Sequence, residues 1–574
     1  MNPSRKFACL MTLLLFCCVV SGQAERWNQP QKIPGLGTAT FPTTTRSRVA
    51  QTDFMHGLLL LHVFEYEDAA KWFQKAEQAD PGFAMAYWGE AMTFNHPVWN
   101  ELDAKAGQAA LKKFGPTPEA REERIKNPRE RAYMAAVEIL YSGKGTKPER
   151  DAQYAEAMQK LSEEYPQDDE AQLFYALALL GRSEGVRDVP TYLKAAAISK
   201  AVFMRNPDHP GAAHYWIHGM DDPQHAAGAL VAAEALSKIA PDAAHAQHMC
   251  SHIFMALGMW NAVVKANQNA MRVVDGGQRA AGQPLYDCGH YDKWLEYGYL
   301  QQGRIEDADR VLEGCVRTGA TAYTWMQAHP GQALLYLRTA QELQGETNRS
   351  LVSMRGMAVI ETGDWTGRAA QLKVDTEGLD QMAGWNMFVS GYAEAESGDR
   401  ARAAASLTRL KSFTAESVAA MYKAEPRADK EDAMYLGILT DELGGLIASK
   451  AGDMKSAIAQ AQRAANTYDG MPFDFGPPVP VKPPNELLGE LLLADNKPTQ
   501  ARAAFGLSLK RAPKRTLSLL GLARAERAVG DTAASQATYR ELATIWQHAD
   551  AGYVPATEAR RYAGAAILAK QTVH

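Results

Sequence analysis

The chain repeats a pattern of small and aromatic residues every 34 positions, and this period limits the folds that it can adopt. The pattern occurs at Gly489, Ala501 and Phe505, 34 residues later at Ala523, Ser535 and Tyr539, and near the N-terminus at Gly57, Ala69 and Phe73. A period of this length accommodates two helices and their turns. Small residues let paired helices approach, and the aromatic ring fills the gap between successive pairs. The sequence therefore predicts an all-α solenoid.

A proline follows the aromatic residue at Pro81 and Pro513, where it ends the second helix of a pair. This arrangement is that of the tetratricopeptide repeat, whose units stack into a right-handed superhelix. We expect roughly ten to twelve helix pairs between about residue 50 and residue 570.

Two segments fall outside the repeat pattern. Residues 25–49 are expected to be extended, and residues 470–484, which hold six prolines, are expected to form a loop over the surface. The solenoid is therefore predicted to cover residues 50–469, and a further pair of repeats is predicted at 485–574.

The first 24 residues have the order of a secretory signal, since Arg5 and Lys6 precede an apolar run that ends in small residues before Ala24. The run is too short to span a bilayer. We expect a periplasmic or secreted protein with no transmembrane segment in the mature chain. Three cysteines then remain, and one disulfide with one free thiol is as compatible with them as no disulfide: Cys250, Cys288 and Cys315.

The net charge of −5 excludes a general polyanion binder, so no nucleic-acid partner is expected. Hydrophobic residues make up 46% and charged residues 22%, which is the balance of a folded chain. The composition therefore indicates that a binding site is to be sought at individual residues rather than on a charged surface.

Histidine is concentrated in one stretch, because residues 214–252 contain six of the 14 histidines. In the repeat register, His214 and His218 occupy places 5 and 9 of one unit, and His248 and His252 occupy the same places of the next. Those places lie on one face of the first helix of each pair and line the concave groove. His245, Asp221 and His290 fall at other groove places, and His62 and His96, both at place 13, could lie across the groove.

Imidazoles spaced i and i+4 with a nearby carboxylate suit zinc, copper, nickel or ferrous iron. The predicted metal-ligating set is His214, His218, Asp221, His245, His248, His252 and His290. Protonated histidines in a water-filled groove could instead hold a carboxylate or phosphate, or the histidines could be purely structural. His248 and His252 have the spacing of a zinc-protease helix but lack its glutamate, so that hypothesis fails.

The stretches His209-Pro-Gly-Ala-Ala-His-Tyr-Trp-Ile-His and His245-Ala-Gln-His-Met-Cys-Ser-His-Ile-Phe resemble motifs of a family of secreted bacterial tetratricopeptide repeat proteins. The similarity covers roughly residues 205–305. Cys250 stands where that family usually has proline, and Ala256 where it usually has arginine. The cysteine is either a soft ligand or a small packing residue. The resemblance implies the fold and the histidines but no particular reaction.

Two classes of function fit these observations. The first is a binding or scaffold module that takes a protein, a peptide or a small ligand in its groove, with the histidines holding a metal ion. The alternative is a metal-dependent enzyme that uses the same histidines, with Asp221 or Asp222 as the base. A third hypothesis keeps the scaffold and makes the histidines structural. No catalytic residue is assigned.

Overall fold

A computed structural model describes residues 27–182, 187–379, 381–424, 431–473 and 475–564. The predicted signal at residues 1–24 lies outside these residues. The described chain contains 26 α-helices and only short strands, so the predicted all-α solenoid of tetratricopeptide-type helix pairs is confirmed. No helix in the described part is both long enough and apolar enough to cross a membrane.

The chain forms two compact units, and the last of the three points at which it passes between them lies inside helix α12. The first unit comprises residues up to Met220 and Gly228–Cys250, and the second comprises Asp221–Ala227 and the chain from Ser251 onward.

The first unit begins with a small hairpin rather than a purely extended segment, because β1 (Gln31–Ile33) pairs antiparallel with β2 (Gly37–Ala39). A second pair of short strands, β3 (Asn95–His96) and β4 (Glu101–Leu102), interrupts the helices. The helices of this unit are α1 (Arg48–His62), α2 (Tyr66–Ala79), α3 (Ala84–Met92), α4 (Ala104–Phe114), α5 (Pro118–Arg124), α6 (Pro128–Leu140), α7 (Lys147–Glu164), α8 (Asp169–Gly181), α9 (Val189–Arg205), α10 (Pro210–Met220), α11 (Leu230–Ile239) and the first half of α12 (Ala244–Ala256).

The second unit continues with longer helices. They are α13 (Trp260–Ala280), α14 (His290–Gln301), α15 (Ile305–Ala328), α16 (Ala340–Thr362), α17 (Arg368–Gln371), α18 (Gln381–Glu396), α19 (Arg400–Ala424), α20 (Glu431–Lys450), α21 (Met454–Asp469), α22 (Pro484–Ala494), α23 (Pro498–Arg511), α24 (Thr516–Ala528), α25 (Thr532–Ile545) and α26 (Val554–Tyr562). Cys288 and Cys315 form a disulfide that joins the segment before α14 to α15.

The aromatic residues of the repeat pattern occupy the gaps between helices, as the sequence predicts. Phe73 is fully buried, and a Cβ atom added at Gly57 or Gly89 would come within 2.8 or 2.3 Å of its ring. Phe505 is enclosed in the same way by Gly489 and Gly521, at 2.9 and 2.2 Å. Glycine is required at these contacts because any side chain would displace the ring.

The proline-rich loop differs from its prediction over its second half. Residues 470–483 separate α21 from α22, as expected. However, Val481 and Lys482 are buried, and the Lys482 ammonium donates to Glu486 and Glu490 at 3.0 and 2.6 Å. The loop therefore does not run over the surface throughout, since two carboxylates hold its end in the interior of the second unit.

Candidate metal centre

Three of the predicted ligands converge in the first unit. His214 and His218 lie one turn apart on α10, and His245 lies in the first turn of α12. One ring nitrogen from each histidine lies within 4.8 Å of the other two, and Nε2 of His214 is 3.1 Å from Nε2 of His218. The side chains are buried, with exposed fractions of 0, 7 and 8% in chain order. The three imidazoles are therefore largely removed from solvent.

The backbone of α1 determines the tautomer of His214. His62 is the last residue of α1, and its carbonyl oxygen is one of those that a helix end leaves without a backbone partner. Nδ1 of His214 lies 2.7 Å from this oxygen. Because a carbonyl can only accept, the proton is on Nδ1 and the Nε2 atom of His214 carries the lone pair toward His218.

This arrangement fits a transition metal. Two nitrogens bound at about 2.0–2.1 Å to one tetrahedral ion are roughly 3.3 Å apart, close to the 3.1 Å separation of the two Nε2 atoms. A hydrogen bond from the second ring nitrogen to a carbonyl is also the usual way in which a metal-bound histidine is oriented. Histidines 214, 218 and 245 would hold the ion, and an all-imidazole set suits zinc, copper, nickel or iron.

A second group of buried ionisable residues supports the first. The Glu170 carboxylate accepts from Nε2 of His62 at 2.6 Å and from Nε2 of His209 at 2.9 Å. Nδ1 of His62 accepts from the Tyr215 hydroxyl at 2.9 Å, and Nδ1 of His209 accepts from the backbone N–H of Ala212 at 3.3 Å. Every ring nitrogen of this pair therefore has a protein partner, so this group is a structural hydrogen-bond network rather than a metal site.

The charges of this network are set by burial and by its own hydrogen bonds. Burial lowers the pKa of His62, although the Glu170 carboxylate opposes that effect. Burial would raise the pKa of Glu170, but the two histidines outweigh it and hold the pKa well below its ordinary value. Glu170 is therefore ionised, and the imidazole of His62 is neutral at neutral pH.

Aromatic rings cover the three histidines. The Phe64 ring centroid lies 4.4 Å from that of His214, 5.6 Å from that of His218 and 5.4 Å from that of His245. Phe64 adopts a left-handed backbone conformation, with φ of 58°, which directs the chain sharply out of α1. Trp99 packs edge-on against His245 at 5.6 Å, so it contributes to the site as well as to packing.

His248 and Cys250 follow on α12 in the same unit. His248 is fully buried, and its ring centroid lies 6.3 Å from that of His245. Cys250 is also fully buried; its Sγ donates to the carbonyl of Ala246, and burial raises the pKa of its thiol to about 12. The cysteine thus packs as a small apolar residue.

The remaining predicted ligands lie in the second unit. Nδ1 of His252 donates to the Asp221 carboxylate at 2.6 Å, and the His252 ring packs on Trp294 with 4.4 Å between centroids. His290 is exposed and contacts the same Trp294 ring at 5.6 Å. The predicted set of seven residues is therefore divided between the units. Three imidazoles converge in the first unit, and in the second unit ring nitrogens of His252 and His290 lie within 4.8 Å of each other while His252 also pairs with Asp221.

The two aspartates predicted as candidate bases also form hydrogen bonds with histidines. Asp221 accepts from His252, and Asp222 accepts from Nδ1 of His225 at 2.8 Å. Neither belongs to the unit that holds the three histidines. His62 proves to be a neighbour of the site through its carbonyl, while His96 stacks on Tyr66 at 4.1 Å.

Sequence reasoning did not find the aromatic cover or the carboxylate beneath it. Phe64 and Glu170 lie 150 and 44 residues before His214 and have no spacing in common with it. The one available signal is the run Val63-Phe64-Glu65-Tyr66 directly after His62. The Glu65 carboxylate there accepts from the backbone N–H of His245 at 3.0 Å.

No protein-family model matches the chain, and no curated protein matches it. Solved structures similar to it include the Cut9–Hcn1 hetero-tetramer of the APC/C, at 12% identity over 92% of this chain and 79% of that chain, with a TM-score of 0.32. Yeast Tom70 is 11% identical over 92% of this chain and 97% of its own, with a TM-score of 0.26. The human IFIT1 dimer with m7Gppp-AAAA is 12% identical over 91 and 90%, with a TM-score of 0.31.

Proposed function

We propose that this chain is a tetratricopeptide-type scaffold protein that binds one divalent transition metal ion through His214, His218 and His245. The observation that carries the proposal is the 3.1 Å separation of the two Nε2 atoms, together with the hydrogen bond that directs the lone pair of His214 toward His218. His214, whose Nε2 lone pair is oriented in advance, binds a metal without first losing a proton, whereas His218, whose Nε2–H donates to His214, would move its proton to Nδ1.

The absence of a carboxylate from the three ligand groups favours zinc or copper over calcium or magnesium, which prefer oxygen ligands. The aromatic cover provided by Phe64 and Trp99 supports a structural or regulatory ion, because it restricts the space for a substrate. We therefore favour the scaffold over the enzyme, and we further propose a protein or peptide partner and a periplasmic or secreted location.

Calorimetric titration of untagged, metal-free protein with Zn²⁺ tests the proposal. We expect His218→Ala to bind one equivalent less than the wild type, or to bind that equivalent at least about 100-fold more weakly, because one of three ligands is lost.

His56→Ala is the matched control, since His56 is in the same unit but bonds to the carbonyl of Thr52 and stacks on Trp72, away from the three histidines. It should retain wild-type stoichiometry. Equal stoichiometry and affinity in His218→Ala and the wild type would show that these histidines are structural.

A further inference from the structure

A pair of short strands interrupts the helices of the first unit. Between α3 and α4 the chain forms β3, one turn of 3₁₀-helix at Pro97–Trp99, and β4. This segment is seated closely on α8, because a Cβ on Gly181 would come within 2.6 Å of Pro97. The repeat pattern requires only two helices and a turn in each unit, so it does not account for this segment.

The segment carries Trp99, whose ring is held in place although the residue is 47% exposed. The ring makes edge-to-face contacts, at 5.5 to 6.0 Å between centroids, with Phe64, Tyr66, His96 and His245. These contacts fix the indole before any partner arrives. Binding to its exposed surface therefore costs little side-chain entropy.

Lysine side chains cover two other tryptophans of the first unit. The Lys75 ammonium lies 3.7 Å from the ring centroid of Trp72. Lys200 lies 5.2 Å from that of Trp216. Among the residues that the structure describes, no lysine or arginine lies over the ring of Trp99. Indole is the aromatic ring that attracts cations most strongly, so the exposed surface of Trp99 is open to a cation from outside the chain.

An exposed carboxylate lies beside the imidazole that Trp99 contacts. Oε2 of Glu101 is 3.2 Å from Nδ1 of His96, and the Glu101 side chain is 68% exposed. Nε2 of His96 donates to the carbonyl of Thr93 at 3.1 Å, so the neutral ring has no proton left for Glu101. Within the described chain, no lysine or arginine forms an ion pair with Glu101. An external donor would therefore find an acceptor here.

We propose that Trp99 and Glu101 bind an arginine side chain of a partner protein. A guanidinium can stack on an aromatic ring and donate to a carboxylate in its own plane, whereas an ammonium acts as a point charge. The inference rests on the protein or peptide partner proposed above, but it does not require the metal ion.

The charge around this surface favours a basic partner. Tyr66 stacks on His96 at 4.1 Å and is followed in the chain by the exposed Glu67. With Glu101, this places a second carboxylate near the indole. An acidic segment or a nucleic acid would bring its negative charge against these carboxylates.

Fluorescence anisotropy of a labelled Gly-Arg-Gly-Arg-Gly peptide, titrated with the full chain at low salt, tests this proposal. The same peptide with citrulline in place of arginine has nearly the same shape but lacks the charge. We expect the arginine peptide to bind and the citrulline peptide to bind about tenfold more weakly, because the cation is lost.

Two exposed positions provide the variants, so that folding is preserved. Trp99→Leu should weaken binding of the arginine peptide several-fold because it removes the ring, and Trp99→Phe should weaken it less. Glu101→Gln should also weaken it several-fold because it removes the charge. Asp68→Asn is the matched control, since the Asp68 side chain is 61% exposed but already pairs with Lys71 at 2.7 Å. It should leave binding unchanged.

Absent or equal binding of the two peptides would overturn the inference, as would undiminished binding of the arginine peptide by both Trp99→Leu and Glu101→Gln. The Zn²⁺ titration of the wild type decides the proposed metal site separately. Intact Zn²⁺ binding without discrimination between the peptides would therefore reject the arginine site alone.

Discussion

At the scale of single residues, the buried histidines of the first unit have protonation states that their partners determine. Nδ1 of His62 accepts from a hydroxyl, and its Nε2 donates to Glu170, so both positions of the neutral ring are used. A protonated ring would force the Tyr215 hydroxyl to turn away. The neutral form is therefore part of the native structure.

This preference predicts how stability depends on pH. The pKa of His62 is lowered in the folded chain, so below about pH 6.5 the unfolded state takes up a proton that the native state does not. Stability is full above that pH and is lost as the pH falls toward the folded pKa. Metal-free wild type should lose about 1.4 kcal/mol more per pH unit in this range than His62→Gln, measured by urea unfolding.

The same variant should be less stable than the wild type at pH 7.5 by ~2–4 kcal/mol, because Glu170 loses one of its two donors. His56→Gln serves as the control and should follow the wild type throughout. Parallel pH curves for wild type and His62→Gln would contradict the assignment of a neutral His62.

At the scale of the elements, one glycine sets the distance between α1 and α10. A Cβ on Gly211 would come within 2.4 Å of Nδ1 of His62, whose ring is held on both sides and cannot move away. Gly211→Ala should therefore cost ~1–3 kcal/mol in the free energy of unfolding. It should also weaken Zn²⁺ binding, since His214 lies one turn further along α10.

Gly506→Ala is the control for that change. Gly506 lies within α23, and a Cβ there would meet nothing within 4 Å. Alanine should stabilise that helix by ~0.5–1 kcal/mol. If Gly211→Ala were equally stabilising in a thermal or urea melt, the close approach of α10 to α1 would be refuted.

The elements also show how far the sequence could be read. The 34-residue period predicts the helices because Phe73 and Phe505 must each be enclosed by small residues, and that local requirement is visible in the chain. The N-terminal hairpin was not predicted, since three-residue strands carry too little alternation to detect. The burial of Lys482 was not predicted either, because its carboxylate partners are supplied by the next helix.

At the scale of the whole molecule, distant parts of the second unit are joined by one buried cation. Arg515 is fully buried and donates to Glu486 on α22, to Glu361 on α16 and to Tyr297 on α14. These partners lie up to 218 residues away in the chain. A charge in this position is tolerated only because each of its hydrogen bonds is made.

Arg515→Met should therefore lower the free energy of unfolding by ~3–5 kcal/mol, since the buried Glu361 loses its counter-ion and Glu486 keeps only Lys482. Adding Glu361→Gln and Glu486→Gln should recover part of the loss. Arg524→Met removes an exposed pair with Glu558 and should cost only ~0–1 kcal/mol. Chemical denaturation of the wild type and the three variants measures these differences, and a near-neutral Arg515→Met would show that the network is dispensable.

The candidate site shows the limit of sequence reasoning at this scale. Repeat register places His214, His218 and His245 on the groove faces of their helices, and the structure brings their ring nitrogens together. It also selects Asp221, His252 and His290, whose side chains belong to the second unit, where His252 pairs with Asp221. Register describes a single helix pair, whereas the grouping of side chains depends on which repeats pack into the same unit.

The hydrogen bond between His214 and the end of α1 would couple metal binding at His214 to the fraying of α1. The last carbonyl of α1 accepts a hydrogen bond from the His214 ring, so the final turn of α1 cannot fray until that hydrogen bond breaks. An ion on the opposite nitrogen would fix that ring in place. Occupancy would then slow the opening of the N-terminal helices and their cleavage by proteases, so that the supply of metal would alter the lifetime of the chain.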